Sequence, residues 1–303
     1  MSQRIISLLL LSGLFACTSP APSTPQKASQ SPAPAVVASQ PEAAEFVEPT
    51  AVSARTPEEF RRLVDRNLRA IESNPRNYDA YISLGQAYRK LNQLDRASRA
   101  FENASLVRPR ELDPMLALAW VYVEMGQYGK AIQIYGNLLQ KDPKNWSLKN
   151  SLAIAYRKKR DYGNALALIR EMLNADKTNI YAINNLGLIY YETQAYDLAE
   201  LTLQKGKKVN AKTAETYNNL GIVYLAMNLT KNAIVEFKKA AELNSSLVAP
   251  RLNLGNLYLK HSNFPAAILV YQEVLNSDPL NIQANENVGV AYLATNEVAK
   301  ARQ

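Results

Sequence analysis

Cysteine and histidine are almost missing from this sequence of 303 residues, which holds one of each. One Cys closes no internal disulfide and builds no cysteine zinc site. One His, His261, cannot supply a multi-histidine metal centre, and it reads as a solvated turn residue after Lys260. Glycine is sparse too, and none of the 11 glycines forms a phosphate-cradling loop. Neither a His-Glu-x-x-His pair nor a nucleophile elbow occurs. Most metal, nucleophile and nucleotide chemistries therefore lack their parts. The expectation is a protein that is not an enzyme and needs no cofactor or metal. A hydrophobic share of 47%, with 35 basic against 27 acidic residues, excludes collagen and a wholly disordered chain.

The proline count of 15 is unevenly spread, and its distribution divides the chain. Residues 1–16 read as an export signal: Arg4 is the positive end, and Ile5 to Leu14 form an apolar run. Ten residues span about 15 Å as a helix, half a bilayer core, which suits a signal peptide and not an anchor helix. The run ends in Leu14-Phe15-Ala16-Cys17, which resembles a bacterial lipobox. That resemblance implies that Cys17 carries the lipid, palmitate included; the alternative is an ordinary secretory signal with an incidental Cys. Two or three acyl chains give a stable anchor where one does not. Thr18 in place of Asp fits, by analogy, sorting to an outer membrane facing the periplasm. From 17 to 56, prolines punctuate Ala, Ser, Thr and Gln, a composition that cannot bury enough apolar surface to order itself. A disordered stalk is expected there.

Beyond residue 77 the chain repeats every 34 residues. Leu84-Gly85, Leu118-Ala119, Leu152-Ala153, Leu186-Gly187, Leu220-Gly221, Leu254-Gly255 and Val288-Gly289 mark the register. A Tyr follows each small residue by three (Tyr88, Tyr122, Tyr156, Tyr190, Tyr224, Tyr258, Tyr292), and Ala recurs nine further on, from Ala97 to Ala301. This pattern resembles the tetratricopeptide repeat, a helix-turn-helix unit of 34 residues. The resemblance implies an all-α superhelix of about seven units: 78–111, 112–145, 146–179, 180–213, 214–247, 248–281 and a partial 282–303. Small residues at the eighth and twentieth positions let the two helices of a unit approach closely. No unit buries its apolar face alone, so the units must stack. Residues 57–77 add an amphipathic capping helix with Phe60, Leu63, Val64, Leu68 and Ile71 on one side. The last unit holds 22 residues, so its end either frays or belongs to a longer chain.

Asparagines stand out on the first helices. Asn185, Asn219, Asn253 and Asn287 all occupy the sixth position of a unit, with Asn184 and Asn218 beside them at the fifth. An amide both donates and accepts, so such a row can bond the backbone of an extended peptide. The row resembles the asparagine ladder in the repeats of O-GlcNAc transferase, which implies amides facing the concave groove; the alternative is local helix capping or bridging. The Lys and Asn clamp of chaperone-adaptor repeats is absent, since only Asn256 is an Asn at the ninth position. Ninth positions are instead Trp120, Ile154, Leu188, Ile222 and Val290, which with Tyr181 and Tyr191 suit apolar partner side chains or packing between units. Two basic clusters, Arg157-Lys158-Lys159-Arg160 and Lys205, Lys207, Lys208 with Lys212, read as edge features. They suit anionic lipid, an acidic partner or plain solvation rather than nucleic acid.

The functional expectation is a lipid-anchored scaffold of the bacterial envelope that holds a segment of a partner protein. Repeat lipoproteins of this architecture include pilotin-like proteins of pilus secretins and adaptors of motility or cell-wall complexes. The regulatory part of a longer enzyme and a structural homo-oligomer are the alternatives.

Overall fold

The structure is a computed structural model that describes residues 56–296 and Lys300. The signal sequence, Cys17, the stalk up to residue 55 and the second half of the last unit, with Ala301, lie outside the described residues. The chain divides into two units, 1–33 and 34–303, and every described helix belongs to the second.

Fourteen helices follow one another among the described residues. The first, α1 (Pro57–Ser73), stands alone. Six helix pairs follow: α2 (Tyr78–Lys90) and α3 (Leu94–Val107), α4 (Asp113–Glu124) and α5 (Tyr128–Lys141), α6 (Trp146–Lys158) and α7 (Tyr162–Ala175). Next come α8 (Ile180–Glu192) and α9 (Tyr196–Val209), α10 (Ala214–Ala226) and α11 (Thr230–Leu243), then α12 (Val248–Lys260) and α13 (Phe264–Ser277). The array closes with α14 (Ile282–Ala294). Each described helix packs chiefly on its chain neighbours, so most contacts run along the sequence.

Local chemistry starts and stops these helices. Thr56 and Glu59 form a capping box at the head of α1, satisfying two donors that the first turn leaves orphaned. Asn77, Asn145, Asn179 and Asn281, one residue before a unit begins, each accept a backbone N–H of the following first turn. Between the two helices of every unit the chain turns through one left-handed residue. These are Asn92, Gly126, Arg160, Gln194, Asn228, Ser262 and Asn296, with φ between 55° and 71°. All seven occupy the fifteenth position of their unit.

Close helix approach builds the core. A Cβ added to Gly221 would lie 2.6 Å from the Phe237 ring, and one on Gly255 would lie 2.5 Å from the Tyr271 ring. Only a missing side chain lets the aromatic of the second helix rest on the first. Ala97, Ala131, Ala165, Ala199, Ala233 and Ala267 are fully buried at the other small position. The repeated Tyr latches three units to the one before. Tyr122 donates to Glu102 Oε1 at 2.7 Å, and the Tyr224 and Tyr292 hydroxyls accept from Gln204 and Gln272 at 2.9 and 2.6 Å. Burial, reinforced by the Glu102 bond, pushes the Tyr122 hydroxyl up to about 12.

Helix α1 differs in one respect from its expected face. Phe60 and Val64 are buried against α2, but Leu68 is left exposed. Asn67 takes a buried place instead, donating to Leu63 O and to Ser83 Oγ on α2.

Candidate functional site

The first helices of successive units lie side by side: α6 touches α8, α8 touches α10, and α12 touches α14. They form one wall of the solenoid, and the asparagines sit on it. That wall is not the row of solvent-facing amides expected from the sequence. Asn184, Asn185, Asn218, Asn219, Asn253 and Asn256 are all buried, at 0–4% exposure, and Asn287 is half-buried. Several of the amides bond one another across units. Asn185 Nδ2 donates to Asn150 Oδ1 at 2.8 Å, and Asn253 Nδ2 donates to Asn218 Oδ1 at 2.9 Å. Asn287 Nδ2 donates to Asn256 Oδ1 at 2.8 Å, an oxygen that also accepts from the Tyr271 hydroxyl. The physical reason is spacing: in the first two pairs a fifth-position amide reaches the sixth position of the next unit, 35 residues on, whereas Asn287 reaches back 31 residues to the ninth-position Asn256.

The same register carries charge. Arg89 Nε donates to both oxygens of Glu124, at 3.1 and 3.0 Å, and Glu124 also accepts from Trp120 Nε1 at 3.1 Å. Arg157 pairs through Nη1 with Glu192, again 35 residues ahead. Arg157 is 1% exposed, so the reading of residues 157–160 as a charged edge needs correction. Only Lys159 and Arg160 are exposed at the turn, and burial pulls the pKa of Arg157 down while Glu192 opposes it. Of the second cluster, Lys205, Lys208 and Lys212 are exposed, whereas Lys207 bonds Glu236.

The wall is not saturated. Both amide atoms of Asn184 and of Asn219, Asn185 Oδ1, Gln86 Nε2, and Arg157 Nε and Nη2 are buried without a hydrogen-bond partner. Asn184 and Asn219 stand at the fifth and sixth positions of α8 and α10, where the flanking junctions have bonded pairs. Each buried polar group left this way costs about 1–3 kcal/mol. Asn184 also lines a cavity of about 250 Å³, bounded by Ile180, Tyr181, Lys212, Glu215 and Leu243 at the junction of two units.

The apolar candidates divide. Ile154, Leu188 and Ile222 are 1% exposed and pack between units. Trp120 is partly exposed, Tyr181 and Val290 more so, and Tyr191 is half-buried with its ring centroid 6.1 Å from that of Tyr196. His261 caps the end of α12 and is exposed. Sequence reading missed Asn150, Gln86 and the two Arg–Glu pairs. Opposite charges and amides 35 residues apart on first helices were the signal for Asn150 and the Arg–Glu pairs, whereas Gln86 faces Val121 at that interval and carried no signal.

The fold and this wall define a class: a solenoid of helical hairpins whose first helices line a common face. Tetratricopeptide-repeat models match residues 67–97, 116–180, 214–247 and 252–303, together more than half of the chain. The chain belongs to the tetratricopeptide repeat family. No curated protein matches the sequence. Among solved structures it is similar to a tetratricopeptide repeat protein from Parabacteroides merdae, at 15% identity and TM-score 0.57, with 77% of this chain and 99% of that one covered. Yeast Tom70 is similar at 16% identity and TM-score 0.59, covering 81% of this chain and 53% of that one. The Cut9–Hcn1 structure is similar at 18% identity and TM-score 0.49, covering 77% and 46%. The chain thus spans about half the length of the Tom70 and Cut9–Hcn1 chains it matches. At these identities the likeness is one of fold.

Proposed function

We propose that this protein is a non-enzymatic scaffold that holds a segment of a partner protein against the wall of first helices. It would do so while tethered to a bacterial outer membrane by a lipid on Cys17. The lipid sets the address, residues 17–56 set the reach, and the wall captures the segment. The observation that carries the binding role is a tetratricopeptide array whose first helices leave Trp120 partly exposed and Tyr181 and Val290 exposed. Aromatic and apolar side chains placed this way suit the apolar side chains of a partner segment. The cellular setting rests on the lipobox resemblance and the proline-rich stalk, which suit assembly of an envelope machine such as a pilus secretin, a motility apparatus or a cell-wall complex.

Trp120 and Tyr181 are the residues to change. Crosslinked pull-down from membranes with Trp120→Ala/Tyr181→Ala should lose the partner that the unaltered protein captures, while the helical circular dichroism stays the same. A partner recovered undiminished would remove the wall from the account.

A further inference from the structure

The second helices carry an exposed apolar row of their own. In three successive units the twenty-second position holds Leu201, Val235 and Leu269, which are 69%, 64% and 59% exposed. Two residues before them Ala199, Ala233 and Ala267 are fully buried, and two residues after them so are Leu203, Phe237 and Tyr271. At about 100° per residue the row therefore points to the side of each helix opposite the core. Leu198, three residues before Leu201, is exposed beside it on α9. The same position in the earlier units holds Arg99, Gln133 and Ala167, so the large apolar side chains are confined to α9, α11 and α13. We propose that this outer face docks on the surface of an anionic lipid bilayer. The proposal draws on neither the wall of first helices nor the lipid on Cys17.

Lysines rim the row. Lys205 and Lys208 follow Leu201 on α9, and Lys231, Lys238 and Lys239 flank Val235 on α11, all of them exposed. Their spacing of three, four or seven residues puts them on the same helix face as the apolar side chains. The carboxylates of these helices are largely engaged elsewhere. Glu236 pairs with Lys207, Glu242 with Lys239, and Glu273 with Arg251. Glu200 is half-buried and accepts from the Tyr224 hydroxyl. Lys205, Lys208, Lys231 and Lys238 make no ion pair among the described residues, and the exposed Asp197 is the carboxylate that stands against them.

The residue types favour lipid over protein. No arginine occurs from 180 to 247, and no aromatic joins the row. Protein interfaces are rich in arginine and aromatic side chains and poor in lysine. A lysine ammonium is a compact, hydrated point charge, suited to the diffuse negative potential of headgroups rather than to a fixed fork. Its alkyl stem can lie along Leu201 or Val235 while the ammonium reaches the headgroup layer. No described helix is long and apolar enough to cross a membrane, so the face would rest on the bilayer rather than enter it as a span. Physiological salt screens such a contact, which by itself is weak and which a tether to the same bilayer would sustain.

The full-length chain with Cys17→Ser tests this, since the change removes the only cysteine and any acyl chain on it. In that background Val235→Cys takes a single NBD fluorophore on the outer face, and Lys260→Cys takes one at the end of α12 as a control. Phosphatidylglycerol vesicles containing brominated lipid, at low salt, should quench the label at residue 235 and leave that at residue 260 unchanged. Pure phosphatidylcholine vesicles or molar salt should remove most of the quenching. Because the label reads its own surroundings, insertion of the apolar run at residues 5–14 does not imitate docking of this face. Leu201→Ser/Leu269→Ser, and separately Lys231→Gln/Lys238→Gln, should each raise the vesicle concentration for half-quenching at least about tenfold. All four side chains are exposed, so the helical circular dichroism should stay the same. No quenching at residue 235, equal quenching by phosphatidylcholine, or equal quenching at residues 235 and 260 overturns the proposal. So does a label at residue 235 that poly-glutamate shields from aqueous iodide and vesicles do not, which would assign the face to an acidic protein.

Discussion

At the scale of single residues, identical amides have unlike energetic roles. Asn253 is committed to Asn218, whereas Asn184 and Asn219 face one another's helices without a bond. Replacing Asn253 by Ala strands a buried partner and should cost about 1–3 kcal/mol in urea unfolding. Asn184→Ala removes a group that is already unsatisfied and should cost distinctly less. Asn185 and Asn253 each bond an amide of the preceding unit, so truncating either one costs stability. The left-handed turn residues make a second contrast. Gly126 holds its positive φ without strain, but Arg160 and Gln194 carry a Cβ into a region that costs an L-residue about 1–2 kcal/mol. Arg160→Gly should therefore raise stability by about 1 kcal/mol, read as a higher urea midpoint, after the extra chain entropy of Gly is subtracted. Nothing in the letters Arg or Gln announces a left-handed residue. Only the 34-residue register identifies them.

Within the helices, the decisive feature is how closely two of them approach. Gly255 in α12 and Gly136 in α5 both sit inside helices, but only Gly255 faces an aromatic ring at contact distance. Gly255→Ala should destabilise by about 1–3 kcal/mol through overpacking on Tyr271. Gly136→Ala meets open space and should stabilise by about 1 kcal/mol through helix propensity. Thermal unfolding of the two variants should thus shift in opposite directions. The Tyr latches between units set an alkaline limit. Tyr122 holds its proton up to about 12 in the folded chain, against 10.0 unperturbed. Between these values the folded state binds more protons than the unfolded one, so stability is full below pH 10 and falls as pH rises toward 12. Tyr122→Phe should flatten that part of the stability–pH curve, measured by urea titration at a series of alkaline pH values. The small-residue register and the Tyr series were legible in the sequence because both recur at a constant interval. The partners of Tyr122, Tyr224 and Tyr292, a Glu or Gln of the preceding unit, were not, since their identity varies from copy to copy.

At the scale of the molecule, the described helices stack mainly neighbour on neighbour, and the proposed binding role falls to a wall built by many units rather than to one pocket. The proposed address is separate from that wall. Cys17→Ser should move the protein from the membrane fraction to the soluble one in fractionated cells. If the proposed scaffold role holds, the same change should disperse the partner without altering its affinity for the wall.

The periodic placement of Gly, Ala and Tyr determined by itself that this chain folds as stacked helix pairs, because each unit has an apolar face that only another unit can cover. Which asparagines bond one another was decided by tertiary structure. Amides 35 residues apart meet or miss according to how neighbouring helices pack, which residue identity does not encode.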